Sequence, residues 1–188
     1  MTKKDIDRFF KEFAKVYPRP VSVYLTGGIA SWFLGGNRPT KDIDFAVSDE
    51  SSDAMGDVTE ALDAVSARLG IPIQYSDDIQ RWGMINVPDI YEGATLYKRF
   101  GATTVHLLAP EKWAVGKLTR YLESDLEDLT NVFRKQKPDL QKVLDYWRRA
   151  LRESPASPQQ NLFKHQVNHF LKNYGKSVWG AACPEGLF

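Results

Sequence analysis

The chain has 188 residues, 43% of them apolar and 26% charged, with a formal net charge of +1. This is enough for one sizeable domain or a domain with a helical appendage, and too balanced for the chain as a whole to bind a polyanion without local charge asymmetry. The single Cys183 excludes an internal disulfide, no Cys/His spacing suits zinc, and no apolar run approaches the ~20 residues of a bilayer span.

Residues 3–16 carry Ile6, Phe9, Phe10, Phe13 and Val16 at the spacing of an amphipathic helix, which Pro18 and Pro20 end. This charged start lacks an apolar segment followed by a cleavage site, so a cytoplasmic protein with no membrane association is expected. Residues 21–25 are β-branched and aromatic and predict a strand. Gly27-Gly28 breaks it, and 29–34 predicts a short helix closed by Gly35-Gly36-Asn37. Residues 42–47 alternate with period 2, which predicts a second strand with Asp42 and Asp44 on one face and Ile43 and Phe45 on the other. Ser51 or Ser52 would cap a helix over 53–69, with Val58, Leu62, Val65 and Leu69 as its stripe, and Gly70 would lead into a strand at 71–75. The stretch 77–89 has no clear period, beyond a strand edge at 84–87. Residues 95–100 and 103–108 predict a hairpin around Gly101-Ala102. Pro110 opens a helix to about 122, and 126–135 and 140–151 predict two more, split by Pro138. Residues 154–158, SPASP, read as a linker. A last helix over 162–174 buries Phe163, Val167, Phe170 and Leu171, and Gly175 stops it before a loosely held tail. The order predicts an α/β (α+β) core over 1–125 followed by a helical C-terminal region over 126–188.

The chemistry concentrates in the first strand–turn–helix–strand unit. Two carboxylates on one strand face raise each other's pKa, so they either face water or belong to a cation. A glycine turn lets backbone approach a bulky ligand, and a helix starting there presents free N–H groups suited to phosphate. Asp42 and Asp44 can hold Mg²⁺, a hard cation that usually binds nucleotide phosphates at the same time.

Gly27-Gly28 followed by Arg38-Pro39-Thr40-Lys41-Asp42-Ile43-Asp44 resembles the defining motif of the DNA polymerase beta-like nucleotidyltransferase superfamily. The form Arg-x-Thr-x-Asp-Ile-Asp is similar to the bacterial branch that includes the AbiEii-type toxins. Pro110-Glu111-Lys112-Trp113, then Lys117-Leu118, Arg120 and Asp125-Leu126-Glu127-Asp128, resembles that branch's following helix pair. The resemblance spans roughly residues 20–130 and implies a nucleotidyltransferase-like core, a mixed sheet flanked by helices. It implies Asp42 and Asp44 as Mg²⁺ ligands, an NTP as donor substrate, and Gly27 and Gly28 as the triphosphate turn, with Arg38 and Thr40 counted on the nucleotide side. It suggests Lys117 as a cation near the phosphates, and Asp125 and Asp128 as acids that either position Lys117 or act as a base. It implies transfer of an NMP to RNA, a protein or a small molecule, and makes the toxin of a toxin–antitoxin pair, with an antitoxin partner, an expectation. The superfamily commonly adds a third carboxylate from a later strand, for which Asp77, Asp78 and Asp89 are the candidates here.

The bland alternatives are a solvated strand edge for Asp42 and Asp44, a loop cover for Arg38, a solvent-facing Lys117, and a helix start for Asp125 and Asp128. His106 reads as a half-buried sheet residue. His165 and His169 read as a surface face, and the tryptophans as core, with Trp82 a candidate for a groove wall. The cluster Lys135, Lys137, Arg148, Arg149 and Arg152 reads as a solvated basic face or a hold on an acidic acceptor such as RNA.

Overall fold

The computed structural model describes residues 1–48, 55–76 and 80–188. The expected caps Ser51 and Ser52, the expected helix start at 53, and the candidate acids Asp77 and Asp78 lie outside the described residues.

Helix α1 (Lys3–Val16) opens with a capping box: Thr2 Oγ1 accepts from the Asp5 N–H, and the Asp5 carboxylate accepts from the Thr2 N–H at 2.7 Å. It buries Ile6, Phe9, Phe10 and Phe13; Val16, one turn past the packed stripe, is exposed instead. Strand β1 (Val21–Leu25) runs into α2 (Gly27–Leu34), so both glycines lie in the first helical turn. The rest of the core follows as β2 (Ile43–Ser48), α3 (Met55–Leu69), β3 (Ile73–Ser76) and the hairpin β6 (Thr95–Phe100) and β7 (Thr103–Leu107). Between them lies a two-stranded ribbon, β4 (Arg81–Trp82) and β5 (Ile85–Asn86).

The five-stranded sheet has the order β3-β2-β1-β7-β6 and is mixed. β1 pairs antiparallel with β2 and parallel with β7, β2 is parallel to β3, and β6 is antiparallel to β7. On one face Phe45 meets Phe9 and Phe10 of α1, at ring distances of 6.4 and 5.7 Å. The opposite face, on which Asp44 stands, carries α2 and α4 (Pro110–Arg120), joined by a hydrogen bond from Trp113 Nε1 to the Gly27 carbonyl at 3.0 Å. Helices on both faces explain why Ala46 is buried along with Phe45 and Val47.

The C-terminal helices are α5 (Glu123–Gln136), α6 (Leu140–Arg152), α7 (Pro158–Phe170) and α8 (Lys176–Trp179). They share an aromatic cluster in which Phe133 lies 6.1 Å from both Trp147 and Phe170 and 5.2 Å from Trp179. This cluster is continuous with the buried residues of the sheet, so one core runs from Ile6 to Cys183.

Three expectations are corrected here. Gly175 does not stop the last helix: it keeps right-handed helical backbone, and the chain passes through a π-helical turn at Leu171–Gly175 into α8, with Cys183 Sγ in the space beside Gly175 where a side chain would stand. The tail is not loose. Asn168 Oδ1 accepts from the Leu187 and Phe188 N–H groups at 2.7 and 3.1 Å, and Trp179 Nε1 donates to the Pro138 carbonyl at 3.0 Å. The SPASP segment is not a free linker: buried Ser154 Oγ donates to the Ala150 carbonyl and accepts from the Asn86 N–H, which pins the ribbon to α6.

Candidate active site

The antiparallel pairing of β1 and β2 assembles the site. It sets the end of β1, Leu25, against Phe45 near the start of β2, so the glycine turn and the two acids must meet. The Thr26 N–H donates to the Asp44 carbonyl at 2.9 Å, and the Gly28 N–H donates to Asp44 Oδ2 at 3.2 Å. Gly27 has φ +52°, and a Cβ there would overlap the Asp44 carboxylate. The turn therefore requires glycine at this position for two reasons, backbone and space. Thr40 Oγ1 donates to Asp42 Oδ1 at 3.0 Å and to the Asp42 carbonyl at 3.1 Å. Its hydroxyl orients one acid of the pair, a more specific part than a place on the nucleotide side.

Gly27, Gly28, Arg38, Thr40, Asp42, Asp44 and Lys117 all line one cavity of about 830 Å³. Its other walls are β3, the β4–β5 ribbon and α7. Asp125 and Asp128 stand behind the wall, 0% and 1% exposed. Lys117, 3% exposed, donates to both, at 3.1 and 2.7 Å. Arg120 forks onto Asp125 with bonds of 2.7 and 2.5 Å, and Arg38 Nη2 reaches Asp128 at 3.1 Å. Three cations thus share two buried carboxylates, an arrangement of alternating charge in the order Arg38, Asp128, Lys117, Asp125, Arg120 that is itself net positive and faces the acids Asp42 and Asp44 across the cavity. Arg38 Nε is buried with no hydrogen-bond partner.

Burial, and then the charge of Asp42, push the Asp44 carboxyl above its ordinary value; the Gly28 N–H and the charges of Lys117 and Arg120 pull the other way. Burial also raises Asp125, but the bonds from Arg120 and Lys117 outweigh it and hold that carboxyl below its ordinary value. An acid so held is a poor proton acceptor. Of the two roles open to Asp125 in the sequence, the geometry suits positioning.

The residues present fit a hard divalent cation. Asp42, just ahead of β2, and Asp44, on it, both line one open cavity. Among the described residues neither is tied up in an ion pair, and Asp44 is disfavoured as an anion until a cation meets it. Among the described residues no third acid, His or Cys joins them. Asp89 does not: its carboxylate pairs with Arg149 at 2.6 Å in a separate polar hollow beside α6. The basic face is likewise partly neutralised, Arg149 by Asp89 and Glu153 and Arg148 by Asp145. His169 Nδ1 bonds the Tyr121 hydroxyl at 2.7 Å, and His106 stacks on Tyr24 at 5.0 Å.

Arg120 stands in the resembling motif without a role of its own; its place one helical turn from Lys117, which lets the two share a face of α4, is the signal in the sequence that ties them. Gln159, Leu162 and Gln166 also line the cavity. They come from α7, beyond the end of the motif at Asp128, and carry no local pattern that marks them.

Comparison with family models, curated protein sequences and solved structures gives no match to this chain. Among the described residues no helix is long and apolar enough to cross a membrane.

Proposed function

We propose that the chain is a Mg²⁺-dependent nucleotidyltransferase that moves an NMP from an NTP to an acceptor. One observation carries the reading: Asp42 and Asp44 face the same cavity as a cationic wall whose charges are fixed by two buried acids, beside a turn that excludes any side chain at Gly27. The motif resemblance supports it. Asp42 and Asp44 would hold the metal, which when bound supplies charge neutralisation on the donor phosphates. Thr40 and the Gly28 N–H orient the two carboxylates. Lys117, Arg120 and Arg38 stabilise negative charge as it develops on the phosphates, already oriented and at little cost in reorganisation. An acceptor hydroxyl oxygen forms the new bond to the α-phosphorus, the α–β phosphoanhydride bond breaks, pyrophosphate leaves, and the hydroxyl proton passes to water. By the same resemblance the acceptor is an RNA, a protein side chain or a small molecule, and an antitoxin is the partner if the chain is a toxin.

The test is incubation with α-labelled NTPs, Mg²⁺ and total tRNA, with Asp44→Ala as control. Label in the acceptor, lost in the variant, is the expected result. No transfer to any acceptor, with binding intact, would favour the second reading: a module of this fold that binds nucleotide without transferring it. That reading draws on the lack of a third acid beside Asp42 and Asp44 among the described residues.

A further inference from the structure

We infer that the indole of Trp82 is the platform on which the nucleobase of the donor stacks; this rests on the nucleotide reading above. Four aromatic side chains line the cavity, and three are already engaged. Phe45 and Tyr75 stack on each other at 5.8 Å with their planes 20° apart. Trp113 is 1% exposed, donates its Nε1–H to the Gly27 carbonyl, and has the Lys117 ammonium over its ring at 5.7 Å. Trp82 is half-buried, and among the described residues no other ring stacks on it.

The helix beneath fixes how Trp82 lies. A Cβ at Gly116 would come within 2.8 Å of Cε2, 2.9 Å of Cδ2 and 3.2 Å of Cζ2 of the indole. Cδ2 and Cε2 form the bond shared by the two rings, and an in-plane approach meets rim atoms first. Gly116 therefore sits under the ring face, and the indole lies flat on α4 because this position has no side chain. The opposite face is the one offered to the cavity. Gly116 immediately precedes Lys117, so the flat apolar surface and the cationic wall are neighbours on one helix. A ligand with a polyanionic end and a planar aromatic end matches both. The ribbon that carries Trp82 is held in place by the Ser154 contact to Asn86. Stacking adds affinity without reading base edges, so this platform accepts any of the four bases.

The experiment is calorimetric titration of the full chain, in Mg²⁺, with ATP and with inorganic tripolyphosphate, which has the charge but no base. Trp82→Ala is expected to weaken ATP about tenfold and leave tripolyphosphate within about twofold, and Trp82→Phe to retain most of the ATP affinity. ATP binding unchanged in Trp82→Ala, or equal losses on both ligands, would overturn the platform and leave the nucleotide reading standing. Wild-type protein that binds neither ligand would overturn the nucleotide reading and the platform with it. Gly116→Ala, which tilts the indole without deleting it, is expected to weaken ATP selectively as well; loss of tripolyphosphate binding instead would count against the platform.

Discussion

Asp44 sets the electrostatics of the cavity. Its carboxyl is raised by burial and by Asp42, so its protonated form contributes stability below the ordinary carboxylate pKa. That contribution is lost as pH climbs through the raised folded value, and at neutral pH the ionised group opposes folding. Asp44→Asn keeps an oxygen for the Gly28 N–H and removes the charge. It is expected to raise Tm at pH 7, with the gap to wild type narrowing as pH falls toward the carboxylate range. Scanning calorimetry across pH checks this; a variant less stable than wild type at pH 7 would show that something positive already neutralises Asp44. The period-2 alternation placed Asp44 on a strand beside Asp42, but β2 begins at Ile43, so Asp42 reaches the cavity from the bend before it, where Thr40 holds its carboxylate. The role of Thr40 was not legible, since a hydroxyl two residues before an acid has several turn conformations open to it.

Helices α4 and α5 act as a clamp around one lysine. Lys117 is stripped of solvent and satisfied by Asp125 and Asp128, which Arg120 and Arg38 hold from the outside. Removing one partner from a buried pair leaves charge without compensation. Lys117→Ala is expected to cost about 3 kcal/mol in urea denaturation, the low end for such a loss because the two arginines remain. A cost near zero would mean that solvent reaches the two acids. The i, i+3 spacings of Lys117 with Arg120 and Asp125 with Asp128 were readable beforehand; that the two helices face each other through these residues is a tertiary fact. The ribbon was less legible still. Strands of two residues are too short to show a period, and they persist because Ile85 is buried and Asn86 is tied to α6.

At the scale of the whole molecule, the cavity forms where sequence-distant pieces meet: the first strand–turn–helix unit, β3, the ribbon, α4 and the C-terminal α7. The strands of the sheet and the helices that flank it were readable from local patterns of apolar residues, and their mixed arrangement from the motif resemblance alone. The π turn at Leu171–Gly175 and the tail tied to Asn168 were not: Cys183 packs beside Gly175 and the chain end returns to Asn168, contacts between residues that no local pattern pairs. The account stands on a divalent cation seated between Asp42 and Asp44. The most direct measurement is anomalous diffraction from crystals grown with Mn²⁺ and a non-hydrolysable ATP analogue. The account predicts a manganese peak within coordination distance of both carboxylates, with the analogue's phosphates against Lys117 and Arg120. Manganese and nucleotide bound together elsewhere, with that position empty, would contradict it.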